Sequence, residues 1–447
     1  MSIIRIGKYE AAVSYILEIP RFSAKNDPET TSDFLEYMKC ELNATVIHVA
    51  GTNGKGSVCS FLDSVHRKMG KKTGLFTSPH LVDIRERICI DGEMISKEDF
   101  LADTNYVLEK VARFNQKSAE VSVYHPSYFE FLFFVAVKYF FDRNVEVAIF
   151  ETGLGGRLDA TNSLPQKDIC IITSIGMDHM EYLGNTLASI AGEKAGIIKS
   201  GVPVVYAKSV ADVTGVIEKK AAEEHADAYG VGKENADILS CRQEKNIDFS
   251  YKYGYDSSAI FTVRSYAHYQ VENAVLAIKA LQVLYGDDIV LDNTVREGIA
   301  SMQWPGRMEM VEQGVFVDGG HNVDGLKAFV ETVRSDGFDG KRHLLFSAVS
   351  DKQVEFMSDI LVDSDLFCTI GICQIDSSRA TLIDKLSAIV SKSIRENGNK
   401  SELKIFESLE EAYEGMKAVK AGDERLYICG SLYLVGAVKE YLRGKYD

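Results

Sequence analysis

The chain has 447 residues, 46% of them hydrophobic and 26% charged. That length exceeds what one hydrophobic core usually organises, and the composition excludes a disordered or fibrous chain. A formal net charge of −15 repels polyanions at long range, so a general binder of nucleic acid or of anionic membranes is excluded, while a local cationic pocket is not.

In chain order, residues 1–22 mix charges with apolar residues and carry neither an uninterrupted apolar run nor a small-residue cleavage site, so a cytoplasmic protein is expected. TVIHVA at 45–50 reads as a strand, a glycine-rich turn follows, and 57–69 has helical spacing before a second strand at 73–77, a βαβ unit. The alternation resumes with a helix at 128–141, too short and too charged to span a membrane. Strands at 145–150 and 169–175, a helix at 187–199 and a strand at 202–207 follow. Repeated βα units imply a parallel sheet covered on both faces. Between 229 and 265 short, polar-interrupted strands suggest a small antiparallel sheet, followed by a helix at 271–284.

WPGR at 304–307 has the rigid-then-flexible signature of a junction. Beyond it a second alternation begins: strands at 315–318, 343–348, 366–373, 403–406 and 425–429, with helices at 323–335, 378–395, 408–418 and 432–442. The expected fold is α/β: a doubly wound phosphate-loop ATPase-type sheet with a small antiparallel sheet over 1–300, and a smaller Rossmann-like domain over 301–447. Eight cysteines (Cys40, Cys59, Cys89, Cys170, Cys241, Cys368, Cys373 and Cys429) form no CxxC pair, and several sit in apolar runs. Reduced, buried thiols are expected.

Four segments carry chemistry. Gly51-Thr52-Asn53-Gly54-Lys55-Gly56-Ser57 lies between a strand and a helix, where freed N–H groups and a helix N-terminus receive phosphate and Lys55 adds a mobile cation. ATP or another polyphosphate is the natural ligand. The common GxxxxGK[ST] pattern fails here, since Val49 takes the first glycine's place and Gly56 separates Lys55 from Ser57. A glycine-rich turn with a solvated lysine is the plainer alternative. Glu151 follows the apolar run 145–150, where an acid faces the crevice of an open sheet and suits Mg²⁺; capping the strand is its plainer role. Gly176-Met177-Asp178-His179 ends the next strand, with Lys194 fifteen positions beyond His179; a lone histidine is often only a hydrogen-bonding loop residue. Arg307 of WPGR, with Asp318 and His321 of VDGGHN, stands at the hinge, where a cleft between domains binds ligands; hinge packing is the alternative.

Together HVAGTNGKGSV, FTSPHLVDIRERICIDG, ETGLGGRLDATN, ITSIGMDHMEYLG, EKAGIIK, WPGRME, VDGGHN and GSLYLVG closely resemble folylpolyglutamate synthase and dihydrofolate synthase, within the wider Mur ligase family. The segments run in matching order from about residue 40 to 436, with one small departure at Gly320, where many relatives have alanine. The resemblance implies that ATP phosphorylates an acceptor carboxylate and that the α-amino group of L-glutamate attacks the acyl phosphate. A mixed anhydride supplies the leaving group that a carboxylate lacks.

By position, the resemblance assigns the phosphate loop to Gly51–Ser57, magnesium contacts to Ser78, Glu151 and His179, and nucleotide contacts to Asn273, Arg307 and Asp318. It matches Lys194 to a carbamylated lysine that binds a second Mg²⁺, the alternative being an ordinary solvated lysine, and lets His321 orient the acyl-phosphate site beside Lys55. It further implies a monomer whose partners are ATP, L-glutamate and dihydropteroate or folate, with domain closure over the nucleotide. Two rivals stand beside it. A cell-wall ligase acting on a UDP-linked precursor would be expected to carry an extra N-terminal domain, and only a short segment precedes the phosphate loop. A non-catalytic nucleotide switch leaves Glu151, His179 and Lys194 without a purpose.

Overall fold

The structure, a computed structural model, describes residues 5–20, 26–117, 123–242, 245–254, 257–350, 352–377 and 379–446. Parts of the N-terminal stretch 1–22, of the segment 229–265 and of the helix expected from 378 lie outside the described residues.

Two helices come first, α1 (Tyr9–Glu18) and α2 (Pro28–Met38), the latter capped by Asp27, which accepts from Glu29 N–H, and opened by proline. The chain continues through β1 (Thr45–Ala50), α3 (Lys55–Lys68), β2 (Thr73–Phe76), β3 (Ile88–Ile90), β4 (Glu93–Met94), α4 (Lys97–Lys117), α5 (Tyr128–Arg143) and β5 (Val147–Glu151). Next are β6 (Ile169–Ile172), the single turn α6 (Met180–Leu183), α7 (Leu187–Ala195), β7 (Val204–Ala207), α8 (Ala211–Glu223) and β8 (Ala228–Val231). These eight strands form one sheet in the order β4-β3-β2-β5-β1-β6-β7-β8. It is parallel from β2 to β8, with β3 and β4 added antiparallel at one edge.

Alternation of side chains along the strands divides the core between the two faces. Val46, Phe76, Ala148 and Phe150 pack with α4 and α5, while Ile47, Val49, Val147 and Ile149 pack with α3 and with residues of the later helices. Helix α5 is apolar nearly all round because it is buried nearly all round; its start is tied by Glu130 Oε2, which accepts from Ser127 N–H at 2.7 Å. Among the described residues no helix is long and apolar enough to cross a membrane.

A three-stranded antiparallel sheet follows, β9 (Ala236–Arg242), β10 (Asn246–Lys252) and β11 (Ser258–Val263), then α9 (Tyr269–Tyr285) and α10 (Asn293–Ser301). The remainder is β12 (Glu309–Glu312), β13 (Val315–Val317), α11 (Val323–Arg334), β14 (Arg342–Phe346), α12 (Val354–Asp363), β15 (Thr369–Cys373), α13 (Ile383–Glu396), β16 (Glu402–Phe406), α14 (Leu409–Val419), β17 (Arg425–Cys429) and α15 (Leu432–Tyr446). Its six-stranded sheet, ordered β12-β13-β17-β14-β15-β16, is parallel except for β12 and carries an apolar cluster on each face.

Several expectations need correction. The first sheet is mixed rather than wholly parallel, and residues 228–231 join it instead of the antiparallel sheet. The helix expected over 187–199 stops at Ala195, and Gly196 follows where a Cβ would lie 2.4 Å from Arg157 Cβ. The helix expected from 378 begins at Ile383, after Ala380 has bridged to Val349. Helices α1, α2, α4, α6, α8, α10 and α12 have no counterpart among the expected elements. Of the cysteines, Cys40, Cys59, Cys170, Cys373 and Cys429 are buried free thiols, but Cys89 is half-buried and Cys368 is exposed. The Cys241 side chain lies outside the described residues.

Candidate active site

Strands β1, β2, β5 and β6 end side by side, and their carboxyl ends open into a cleft of about 1740 Å³ roofed by the second sheet's loops. Every residue singled out above for phosphate, nucleotide, metal or acyl chemistry lines this cleft.

The loop after β1 is held from two directions. Thr52 N–H donates to Ser174 O at 2.8 Å, and Thr173 Oγ1 donates to Asn53 O at 2.7 Å, tying it to the segment after β6. From α9, Gln270 Nε2 donates to Ser57 Oγ at 3.2 Å, and Asn273 leans over Gly54. Gly54 has φ +90°, and a Cβ there would sit 2.3 Å from Asn273 Oδ1, so conformation and space both demand glycine. Val58 N–H is the donor that reaches back to Gly54 O; the N–H groups opening α3 have no intrahelical acceptor and suit an anion.

Two amines converge on that loop. Lys55 Nζ donates to Gly51 O and Thr52 O, each at 3.2 Å, and stands 3.9 Å from Glu151 Oε1. Lys194, in the last turn of α7, donates to the same Gly51 O at 2.6 Å and is only 4% exposed. Burial, reinforced by the Lys55 charge, pulls the Lys194 amine down to about 7, so an ordinary solvated lysine does not describe it.

Glu151 is the last residue of β5, in register with Val49 of β1. Burial pushes its carboxyl up, opposed by Lys55 and by Ser78 N–H, which donates to Oε2 at 3.0 Å. Among the described residues no three His, Cys, Asp or Glu side chains gather to hold a metal, and the expected set contains only two, Glu151 and His179. The Glu151 carboxylate and the Ser78 hydroxyl are hard oxygen donors of the kind Mg²⁺ takes, whereas the His179 imidazole offers a softer nitrogen.

The second sheet contributes Asp318, just past β13. Its Oδ2 accepts from Tyr269 O–H at 2.6 Å and Met308 N–H at 2.9 Å, and its Oδ1 from Gly320 N–H at 2.7 Å, so this acid also organises the hinge. Arg307 Nη1 donates to Gly306 O at 3.0 Å and acts to lower the buried Asp318 carboxyl, which burial raises. The His321 imidazole is lowered to about 4, by burial first and then by Lys352. As a neutral ring facing a carbonyl, it must donate Nδ1–H to Gly319 O, 2.8 Å away, which leaves the Nε2 lone pair unprotonated, 3.8 Å from Asp178 Oδ2.

Five polar residues here were not singled out from the sequence: Asp178, Tyr269, Gln270, Asn322 and Lys352. Asp178 and Asn322 lie inside motifs quoted above, Tyr269 and Gln270 stand in YQVENA just before Asn273, and Lys352 has no local signal. Asp178 is 9% exposed, and although burial acts to raise its carboxyl, Lys352, His179 and His321 hold it well below the usual range.

Residues 130–281 match the model for the Mur ligase middle domain, and 306–432 that for the Mur ligase, glutamate ligase domain. The chain is 33% identical over 413 residues to the dihydrofolate synthase/folylpolyglutamate synthase of Bacillus subtilis, covering 90% of this chain and 91% of that protein. Its fold superposes with a TM-score of 0.85 on Mycobacterium tuberculosis folylpolyglutamate synthase complexed with ADP, at 29% identity over 97% of this chain and 98% of that one. E. coli FolC in complex with DHPP and ADP superposes with a TM-score of 0.82 at 25% identity, over 99% of both chains. The chain therefore belongs to the folylpolyglutamate synthase/dihydrofolate synthase branch of the Mur ligase family.

Proposed function

We propose that this chain is an ATP-dependent ligase that adds L-glutamate to the carboxylate of dihydropteroate, of a (tetrahydro)folate polyglutamate, or of both, releasing ADP and phosphate. The observation that carries this is one cleft in which a phosphate loop, a buried strand-end acid and a buried near-neutral lysine face Arg307, Asp318 and His321 of the other sheet. Similar proteins solved with ADP, and with DHPP and ADP, support the nucleotide-binding part of this reading.

In this reading the chain divides near residue 300 into an ATP-binding domain and a glutamate-ligase domain. Gly51–Ser57 cradle the phosphates, Lys55 neutralises charge on the transferring group, and Asn273, Arg307 and Asp318 hold the nucleoside end. Ser78, Glu151 and His179 would hold Mg²⁺, which when bound supplies charge neutralisation at the phosphates. The low proton affinity of Lys194 supports carbamylation: a neutral amine attacks CO₂, a proton leaves, and the resulting anion would serve a second Mg²⁺. Neutral His321 keeps an acceptor nitrogen at the acyl-phosphate site. The acceptor carboxylate attacks the terminal phosphorus of ATP, and the glutamate amine then displaces phosphate to form the amide. Holding three reactants in a closed cleft supplies proximity and excludes water.

The test is phosphate release from ATP with Mg²⁺ and L-glutamate, product masses being measured, on dihydropteroate, tetrahydrofolate and a UDP-linked cell-wall precursor in parallel. One added glutamyl residue on a pterin acceptor is expected, and which acceptors react separates one activity from two. Turnover on the UDP-linked precursor alone, or nucleotide binding without any product, would overturn the assignment.

A further inference from the structure

Four segments meet at the phosphate loop in a polar cluster of which the chemistry above uses only the loop residue, Asn53. Asn53 comes from the loop after β1 and Asp178 from the segment after β6; Asn322 caps α11, and Lys352 follows β14. Asn53 and Asn322 exchange amide bonds, Nδ2 to Oδ1 at 3.2 Å one way and 3.0 Å the other. Asn322 Nδ2 also donates to Asp178 Oδ2 at 3.1 Å, and Asn322 Oδ1 accepts from Gly325 N–H at 2.8 Å. Lys352 Nζ forms an ion pair with Asp178 Oδ1, and the two side chains are 7% and 8% exposed.

The bonding capacity of Asn322 is filled. An amide offers two hydrogens and two acceptor lone pairs, and here both hydrogens and one lone pair cross to the other sheet while the remaining lone pair caps its own helix. Aspartate would lose both donors and confront Asp178; serine would keep the cap and lose the crossing bonds. Asp178 is equally committed: besides its own neighbour His179 N–H, which donates to Oδ1 at 2.8 Å, each of its oxygens takes a partner from the second sheet. A buried carboxylate is stable only while paired, so this cluster exists only while the two sheets are docked.

We infer that Asn322 and Lys352 are positioning residues that latch the second domain onto Asp178 and Asn53, and that the latch keeps water from the acyl phosphate. This rests on the ligase reading. Asn53 belongs to the phosphate loop and Asp178 precedes His179, so the latch joins the docked pose directly to two parts of the reacting site.

Asn322→Ser, Lys352→Met and Lys352→Arg are compared with the wild-type full chain, phosphate release and amide formation being measured in the same reaction. The first two are expected to release about three or more phosphates per amide, against one in the wild type, with kcat down about tenfold and the KM for ATP within about threefold. Lys352→Arg keeps the charge and is expected to recover much of the coupling. A ratio that stays at one in both Asn322→Ser and Lys352→Met overturns the latch, whatever the rate. Small-angle scattering gives a readout independent of the chemistry: a larger radius of gyration is expected for folded Asn322→Ser and Lys352→Met, and an unchanged one counts against docking. Asn322→Ser keeps a capping oxygen and so decides the matter if Lys352→Met fails to fold. An inactive wild type would sink the ligase reading alone and leave the scattering comparison to judge the latch.

Discussion

Two buried lysines show how position sets proton affinity. Lys194 borders the phosphate loop; Lys167 lies outside it, 6% exposed, donating to Asn162 Oδ1 at 2.6 Å. Burial, aided by the charge of Lys199 and opposed by Cys170, pulls Lys167 down to about 7. In the unfolded chain a lysine titrates near about 10.4, so between the two values the unfolded state binds more protons and stability rises with pH. Lys167→Met is therefore expected to be more stable than the wild type near neutrality, or less destabilised, than it is in alkali. The difference should move in the wild type's favour by about 1 kcal/mol per pH unit between about pH 7.5 and 9. Urea unfolding of both proteins across that range checks it, and a difference independent of pH would mean that Lys167 stays charged when folded.

Helix α9 is the element that connects the two halves of the site. Gln270 and Asn273 lean on the phosphate loop, while Tyr269 donates to Asp318 and the Tyr266 ring meets Phe316 edge-on at 5.2 Å. A single helix start therefore indexes the phosphate loop against the hinge acid. Tyr269→Phe removes one of three donors from a buried carboxylate, a loss of about 1–3 kcal/mol, while Met308 and Gly320 keep the acid in place. The thermal midpoint should fall by a few degrees and the KM for ATP should rise about threefold to tenfold. Initial-rate kinetics and a melting curve test this; unchanged values in both would show the hydroxyl to be idle.

At the scale of the molecule, one cleft lies between two sheets, and the only tryptophan reports on it. Trp304 packs so closely on the phosphate loop that a Cβ on Gly56 would lie 2.5 Å from its ring. ADP should therefore change the Trp304 emission, and at a hundred times its Kd it should stabilise the protein by about 2.7 kcal/mol. Gly56→Ala has to displace the indole, so ADP affinity is expected to fall about tenfold or more. Fluorescence titration and thermal shift measure both effects, and a Gly56→Ala protein with wild-type affinity would show that the indole yields freely.

Much of this was legible in the chain. The strand, glycine turn and helix from 45 to 68 follow from short-range patterning, because strand ends, glycine conformations and helix starts are set by neighbours within a few residues. Helix α4 was harder to read: its buried Phe100, Val107, Leu108 and Val111 are diluted by polar residues over 21 positions. Lys352 was illegible, since its partner Asp178 lies 174 residues away and no local motif surrounds it. Local patterning along the chain sets which chemical groups are available and on which strand ends they stand. Long-range packing is what buries Lys194 and brings its amine near neutrality, binds Asp318 on both oxygens, and makes Asn322 bridge the two sheets. Proton affinity and hydrogen-bond satisfaction depend on what surrounds a side chain in space, and segments far apart in the chain supply those surroundings.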